Sequence, residues 1–244
     1  MSTWEQKLID LKGSIPKRIV DTKEIYNKYK PWLNKYKGGT PVGFLAAIIQ
    51  FESGGKMTSS GDPALGEVGF FQITGSFPPK VGLPAESRYN AETNIFLGCL
   101  EYQIMATELF LFNPAITLGS VDSWKLSRLA FAVGFPGTKK IIQNANATRT
   151  GRVFEDVKTY INKVGGIPLG QQSTGKVWFR VHAVEVQWEI GSKAVPFQTI
   201  GRPAKIPPSP AGLYNLKKEI SNLLVEPGGN SLLVTAAVVL ALLI

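Results

Sequence analysis

The strongest constraint on the fold is an apolar segment from residue 91 to residue 112. Its large apolar side chains are interpreted as the apolar face of a long helix. They are Ile95, Leu97, Leu100, Ile104, Leu109 and Leu111. Asn113-Pro114 follows, and a proline cannot continue a helix. We therefore predict a helix over residues 91–112 that buries this face against neighbouring helices.

Glycine, proline and capping residues divide the surrounding sequence into further helices. The predicted segments are Thr40 (as N-cap) to Ser53 before Gly54-Gly55, Asp122 (as N-cap) to Val133 before Gly134, residues 136–146, and residues 153–164 before Gly165-Gly166. Residues 55–90 are rich in Gly, Pro, Ser and Asp and are predicted as loops. Residues 38–166 thus form a helical domain, and the chain is expected to be mainly α.

The flanking segments follow other patterns. Residues 1–37 are polar and basic and predict a helical arm that is interrupted at Pro31. Between residues 177 and 190, apolar and polar side chains alternate, which is typical of strands, so we predict a small β-rich extension over residues 167–190. The proline-rich residues 191–229 predict an extended linker with a short helix.

The last segment, residues 230–244, predicts an apolar tail that contacts a membrane. Residues 232–244 carry no charge, and Thr235 is their one polar residue. As a helix, residues 231–244 would be about 21 Å long at 1.5 Å per residue, which is shorter than a bilayer core of about 30 Å. Partial insertion, local thinning of the bilayer and docking on protein all stay open. The N-terminus has no apolar stretch like that of a signal peptide.

Composition limits the chemistry that the chain can perform. It has one cysteine, Cys99, and one histidine, His182. An intramolecular disulfide is therefore impossible, and neither a zinc site nor a catalytic triad is expected, so we predict no metal and no cofactor. The net charge is +9, of which residues 38–166 carry only +1. Basic flanks suit anionic surfaces such as lipid headgroups or cell-wall polymers, and a solvated surface is the alternative. We predict no specific nucleic-acid partner.

Glu52 is the candidate catalytic residue on physical grounds. It lies three and four residues after Ile49 and Ile48, so its carboxyl shares their apolar face at the end of the helix. A carboxyl in an apolar cleft resists ionisation and can act as a general acid near neutral pH. An ordinary surface glutamate at a helix end is the alternative.

Five short motifs follow one another between residues 52 and 164. They are Glu52-Ser53, Gly66-Glu67-Val68-Gly69-Phe70-Phe71-Gln72-Ile73, Asn94-Ile95-Phe96-Leu97-Gly98 with Tyr102, Ala130-Phe131-Ala132-Val133-Gly134, and Thr159-Tyr160-Ile161-Asn162-Lys163-Val164. Each motif is weak alone, but the ordered set resembles the soluble lytic transglycosylase family, which is related to goose-type lysozyme. The resemblance implies a lysozyme-like catalytic domain that cleaves the β-1,4 bond between MurNAc and GlcNAc of peptidoglycan.

The resemblance also implies roles for individual residues. Glu52 would protonate the leaving glycosidic oxygen and then accept the proton of the muramic acid 6-hydroxyl, which closes a 1,6-anhydro ring without water. The residues expected to contact substrate or acid are Ser53, Gly69, Phe71, Gln72, Phe131 and Tyr160. Gly69 would let the backbone approach the glycan, and Tyr160 would line the site near Glu52. Glu67 would polarise the site or order the loop.

One departure from the family pattern leaves two functions open. The family's Tyr-Asn pair is Phe131-Ala132 here, so a hydroxyl and an amide are missing. The first function is a lytic transglycosylase, with a lysozyme-like hydrolase as a variant. The second is a non-catalytic peptidoglycan-binding structural or delivery protein.

The apolar tail suggests where such a protein acts. A wall-cutting enzyme with this tail and no signal-peptide pattern resembles the virion-associated transglycosylases of membrane-containing phages. We expect association with an internal virion membrane or capsid and with virion or secretion-complex proteins. The alternative is a bacterial cell membrane, with the enzyme facing the periplasm.

Overall fold

The computed structural model describes residues 2–58 and 66–196, and this part of the chain is mainly α-helical, as the sequence predicts. In chain order the helices are α1 (Thr3–Gly13), α2 (Ile15–Tyr36), α3 (Val42–Ser53), α4 (Phe77–Lys80), a 3-10 helix (Ala85–Tyr89), α5 (Ala91–Phe112), α6 (Val121–Val133), α7 (Phe135–Asn144), α8 (Val153–Val164) and α9 (Thr174–Ala194). Most of the predicted linker and the whole predicted apolar tail lie outside the described residues.

Helices α3, α5 and α8 end where the sequence predicts. The C-cap of α3 is Gly54 in the left-handed conformation, with φ +61°. Two predicted N-caps are wrong. Pro41 takes the cap position of α3, and within the described residues the Thr40 hydroxyl is buried without a hydrogen-bond partner. Ser120 caps α6 by accepting a hydrogen bond from the Ser123 backbone N–H.

Asp122 is not the N-cap of its own helix, as predicted, but binds the start of another helix. Its carboxylate accepts a hydrogen bond from the backbone N–H of Val153 at 2.8 Å. Val153 is the first residue of α8, where backbone N–H groups lack partners within the helix. Asp122 therefore caps α8 from a distance and joins it to α6.

The predicted β-rich extension is wrong, because Thr174–Ala194 is a single helix, α9. Ser173 caps it by accepting a hydrogen bond from the backbone N–H of Lys176. The buried Val177, Val181 and Val184 also fit a four-and-three spacing, so the same residues satisfy a helical pattern. α9 packs against α1, α2, α3, α6 and α8. Because several faces of α9 are covered, its apolar residues do not form one helical stripe, and the local alternation resembles a strand.

A contact between two glycines sets the distance between α3 and α9. A Cβ atom on Gly43 would lie 2.3 Å from the carbonyl oxygen of Gly191, and one on Gly191 would lie 2.6 Å from that of Gly43. Only hydrogen fits at both positions. The close crossing holds α9 beside the helix that ends in Glu52.

Residues 1–37 form α1 and α2. Ile25, Tyr29 and Leu33 of α2 are buried in the same core as α3 and α5. The predicted interruption at Pro31 is wrong, since α2 continues through it. A proline inside a helix costs one backbone hydrogen bond, and Tyr29 and Leu33 on either side of it are buried in the core.

Among the described residues, α5 is the one helix long and apolar enough to cross a membrane, by length and composition. Half of its most apolar window is buried inside the fold. It packs against α2, α6, α7 and the 3-10 helix. These contacts are those of a core helix. They bury Ile95, Leu97, Leu100 and Leu109 of the predicted apolar face, whereas Leu111 is 40% exposed.

Candidate active site

Glu52 lies in the last turn of α3, and its side chain is 20% exposed. Its Oε1 atom accepts a hydrogen bond from Nη2 of Arg128, which projects from α6 and whose side chain is only 3% exposed. The predicted acid is thus neither dissolved in bulk solvent nor enclosed in an apolar wall. It forms an ion pair with a buried guanidinium that the sequence analysis did not single out.

Two neighbours hold the Arg128 guanidinium in place. Its Nε donates to Oε1 of Gln187 on α9 at 2.6 Å, and its Nη1 donates to the Tyr102 hydroxyl on α5 at 3.3 Å. Burial opposes the positive charge of Arg128, but Tyr102 and Glu52 outweigh it, so the pKa of Arg128 is raised. Glu52, Tyr102 and Gln187 come from three different helices and all bind the buried guanidinium of Arg128, which comes from a fourth.

Phe131 covers the other side of this cluster. Its ring stacks on Tyr102 with centroids 5.2 Å apart and planes inclined by 18°. The Arg128 guanidinium carbon lies 5.5 Å from the Phe131 ring centroid. Phe131 is partly exposed. The structure therefore brings Phe131, a predicted contact residue, close to the predicted acid.

A short hairpin lies against the end of α3. Val68 and Ile73 pair as an isolated antiparallel bridge, with backbone hydrogen bonds of 3.1 and 2.9 Å. The Ser53 hydroxyl lies 3.1 Å from the carbonyl oxygens of Ile49 and Phe70, and its single proton can serve one of them at a time. Ser53, the residue next to Glu52, thus connects the end of α3 to the hairpin.

Gln72 stabilises the hairpin from inside. Its Nε2 donates to the carbonyl oxygens of Gly69 at 2.7 Å and Thr58 at 3.1 Å. Its backbone has φ +53°, a left-handed conformation that is uncommon outside glycine. The side chain is 7% exposed. Ser53 and Gln72, both predicted polar contacts, therefore donate their hydrogen bonds to backbone carbonyls around the loop beside Glu52.

Gly69 is required by the backbone of the hairpin and by the packing of Asn94 against it. Its φ is +86°, and a Cβ atom there would lie 2.2 Å from Nδ2 of Asn94. Asn94 is fully buried; it donates to the carbonyl oxygens of Val68 and Arg88 at 2.9 Å and accepts from the Phe71 N–H at 3.2 Å. The motif residues Gly69 and Asn94 thus fit together and fix the hairpin on α5.

Two other predicted contact residues have different surroundings. Phe71 is fully buried and packs on Gly98 of α5, where a Cβ atom would lie 2.2 Å from the Phe71 ring. Tyr160 on α8 packs against a second hydrophobic cluster, formed by residues of α6, α7, α8 and α9. Phe71 is therefore a core residue in this structure, and Tyr160 belongs to the packing of α8.

Further charged residues surround the ion pair. Burial lowers the pKa of Arg180 on α9, and so does the positive charge of Arg128. The carboxylates of Glu52 and Glu67 act in the opposite direction. Arg180 therefore lies within the field of both predicted acids.

Glu101 on α5 is a third carboxyl near the site. Burial raises its pKa to about 7, Lys80 lowers it, and Glu67 raises it. Sequence reasoning missed it because Glu101 lies inside an apolar helix and outside the matched letters of the family motif.

Arg128, Gln187 and Arg180 were also missed. Arg128 carries a detectable signal, since it is a charge within the apolar helix predicted over residues 122–133 and a buried charge requires a partner. Gln187 and Arg180 could not be placed while their segment was read as strands. In residues 2–58 and 66–196, no group of three His, Cys, Asp or Glu side chains is arranged to hold a metal ion.

No match is found when the chain is compared with models of protein families, with curated proteins or with solved structures. The support for a function therefore comes from the motifs and from the arrangement of residues around Glu52.

Proposed function

We propose that the chain is a lytic transglycosylase that cleaves the MurNAc–GlcNAc bond of peptidoglycan, with Glu52 as its acid and base. The observation that carries this proposal is the position of Glu52. Its partly exposed carboxyl lies in the last turn of helix α3, next to a hairpin that Ser53 and Asn94 hold in place. The guanidinium carbon of its partner Arg128 lies 5.5 Å from the Phe131 ring centroid. Residues of four of the five motifs thus lie near one another, whereas Tyr160 of the fifth packs against the second hydrophobic cluster.

Glu52 forms an ion pair with Arg128, so it must bind a proton before it can give one to the substrate. A protonated carboxyl has one O–H donor and still accepts hydrogen bonds. Arg128 binds Oε1, so Oε2 is the oxygen left to take up a proton and to pass it to the glycosidic oxygen as the bond to the anomeric carbon breaks. The carboxylate that results is stabilised by the guanidinium. It then takes the proton of the muramic acid 6-hydroxyl as that oxygen bonds to the anomeric carbon, and Glu52 is restored.

The test is Glu52→Gln in the full chain, assayed by the clearing of purified sacculi. The substituted amide keeps an acceptor for Arg128 but cannot supply the proton, so we expect at least a 100-fold loss of rate, on the order of what general acid catalysis contributes. Glu189→Gln, on the exposed face of α9, is the matched control and should keep parental activity. Thermal unfolding of both variants shows whether the fold persists. A folded Glu52→Gln variant that clears walls as fast as the parent would rule out Glu52 as the acid.

A non-catalytic peptidoglycan-binding protein is the second candidate, and the Glu52–Arg128 pair itself favours it. A buried guanidinium needs a counter-ion for structural reasons alone, and Ala132 lacks the family's amide. Retention on insoluble sacculi without release of any soluble fragment would favour this candidate over the enzyme.

We also propose that the protein acts in a virion, attached to an internal membrane through residues 231–244. The support is the sequence of that segment, which lies outside the described residues. Detection of the protein in purified particles, and its loss from them when residues 231–244 are deleted, would support the proposal. A cell-membrane enzyme would instead fractionate with bacterial membranes in the absence of particles.

A further inference from the structure

The end of α5, the start of α6 and the loop between them form an uncharged tip of the helical bundle, residues 109–121, called here the α5–α6 tip. Seven large apolar side chains are exposed in the part of the chain that the structure describes, and three of them belong to this tip. They are Phe110, Leu111 and Val121, at 37%, 40% and 47% exposure. An exposed group of apolar side chains marks a surface that binds protein or membrane.

Hydrogen bonds within the chain fix the backbone of the tip. Nδ2 of Asn113 donates to the carbonyl oxygen of Ala147 at 2.8 Å, and its Oδ1 accepts from the Ala115 N–H at 3.0 Å. The Ser120 N–H donates to the carbonyl oxygen of Thr117 at 3.1 Å. Unpaired backbone groups oppose contact with an apolar layer, whereas paired ones do not. The exposed side chains are therefore carried by a preformed surface that suits such contact.

The charged neighbours of the tip are compatible with a lipid surface. Asp122 follows the tip, but its carboxylate is buried and accepts a hydrogen bond from the Val153 N–H. Nζ of Lys139 on α7 lies 4.9 Å from the centroid of the Phe112 ring, and its charge also acts on Glu108. A lysine beside an apolar surface can cover it with methylene groups and extend its ammonium to lipid headgroups. The tip thus has an apolar centre and a cation at its edge.

The chain leaves the described fold at the same end of the bundle. A Cβ atom on Gly39 would lie 3.4 Å from the ring of Trp124, in the first turn of α6. A Cβ atom on Gly43, at the start of α3, would lie 2.8 Å from the carbonyl oxygen of Val195, which follows α9. The end of α9 and the start of α6 therefore flank the start of α3. Residues 197–244, which include the predicted apolar tail, thus continue from the end that carries Val121.

We propose that the α5–α6 tip docks on a lipid bilayer, with Phe110, Leu111 and Val121 in its interfacial layer. The choice of lipid as the occupant rests on the proposed membrane attachment through residues 231–244. One short apolar anchor holds a protein weakly, and a second contact on the same molecule makes the attachment stable. Because the tail tethers the chain, it presents the bilayer to the tip at a high effective concentration.

This orientation leaves the candidate active site accessible. Glu52 is nine residues after Gly43 on α3, which corresponds to about 13.5 Å along the helix axis. The end of α3 that carries Glu52 is thus the end remote from Val195. A bilayer under the tip would leave the Glu52 side of the bundle free for a polymer on the aqueous side.

The test is flotation of the full chain with vesicles of equal parts phosphatidylglycerol and phosphatidylcholine. Phe110→Gln, Leu111→Gln and Val121→Gln should each weaken binding about threefold, and the triple variant at least tenfold. Full burial of such a side chain changes an equilibrium constant by about tenfold or more, and only its exposed part remains to be buried. Thermal unfolding shows whether the variants keep the fold.

The matched control is Val164→Gln. Val164 is 42% exposed and ends α8. A Cβ atom on Gly166, two residues later, would lie 2.1 Å from the carbonyl oxygen of Thr174, at the start of α9 and so remote from Val195. The control removes a similar apolar side chain outside the tip and should bind vesicles like the parent.

Hydrogen exchange gives a second measurement that needs no substitution. The amides of residues 109–121 should exchange more slowly when vesicles are added, and those of residues 153–164 should exchange at an unchanged rate. Unchanged binding by the triple variant, or an unchanged exchange rate of the tip while the chain is bound to vesicles, would overturn the proposal.

Three further outcomes identify the occupant. Dimerisation that the triple variant abolishes, with unchanged vesicle binding, would overturn the proposal in favour of contact between two copies of the chain. Faster exchange of the tip after deletion of residues 231–244 in lipid-free solution would also overturn it, because the tail itself would then cover the tip. Vesicle binding that persists without the tail and is lost in the triple variant would support the tip and contradict the proposed attachment through residues 231–244.

Discussion

Replacing Arg128 by Met tests whether the buried ion pair organises the site. Methionine keeps much of the volume of the arginine stem but removes the guanidinium. Three acceptors then lose their donor, namely Oε1 of Glu52, Oε1 of Gln187 and the hydroxyl of Tyr102. Unlike a change at an exposed charge, this one leaves a carboxylate partly enclosed without its counter-ion.

The expected magnitude follows from the exposure of the two partners. Removing one member of a buried pair costs about 3–5 kcal/mol. The Arg128 side chain is 3% exposed, but that of Glu52 is 20% exposed and can recover some hydration. We therefore expect the lower end, about 3 kcal/mol. For a domain of this size, 1 kcal/mol shifts the melting temperature by about 2–4 °C, so the expected drop is roughly 6–12 °C.

The assay is thermal unfolding of the full chain at pH 7, followed by circular dichroism. Lys193→Met is the matched control, because Lys193 and Glu189 form an exposed pair of 57% and 44% exposure on one helix. Such a pair contributes about 0.3–0.5 kcal/mol. The double variant Arg128→Met/Glu52→Gln should recover part of the loss, because no charge is then left without a partner.

Two results would refute this reasoning. The first is a melting temperature of Arg128→Met no lower than that of Lys193→Met, which would mean that the guanidinium contributes nothing beyond a surface charge. The second is strict additivity in the double variant, which would mean that Arg128 and Glu52 do not interact in solution.

Three further changes test other parts of the structure. Glu101→Gln should remove a pH dependence of stability, because the raised pKa of Glu101 contributes up to roughly 3 kcal/mol below pH 4.5, which is lost as the pH rises through about 7. Urea unfolding at pH 5 and pH 8 measures the change in unfolding free energy between the two pH values. An equal change in the parent and the variant would contradict the prediction. Gly69→Ala should cost about 2–3 kcal/mol through the left-handed backbone and the clash with Asn94, and an unchanged unfolding midpoint would show that the hairpin tolerates a side chain. Asp122→Ala should cost about 1–2 kcal/mol and speed amide exchange of Val153, as expected for a lost helix cap; unaltered exchange would contradict the capping role.

Much of the helical framework could be predicted from sequence because its signals are local. A glycine in the left-handed conformation ends α3, Asn113-Pro114 ends α5, and apolar spacing marks the buried faces between. Local signals failed where tertiary contacts decide. α9 is covered on several faces and so lacks a single apolar stripe, and the carboxylate of Asp122 caps α8 across 31 residues of sequence.

The candidate site could be predicted only in part, for a similar reason. The motifs located Glu52 and Phe131 but could not show that Ser53, Gln72 and Gly69 build the hairpin. The partner of Glu52 comes from α6, 76 residues away, and the residue that orients that partner comes from α9. No spacing rule connects such distant positions, so their meeting becomes visible only in the folded chain.

Mass spectrometry of the muropeptides released from purified sacculi tests most directly whether Glu52 is the acid that cleaves the glycan. The full chain should release fragments that end in 1,6-anhydro-MurNAc, and the folded Glu52→Gln variant should release none. Reducing-end fragments would contradict the transglycosylase product, and the absence of any fragment from the parent protein would contradict cleavage itself.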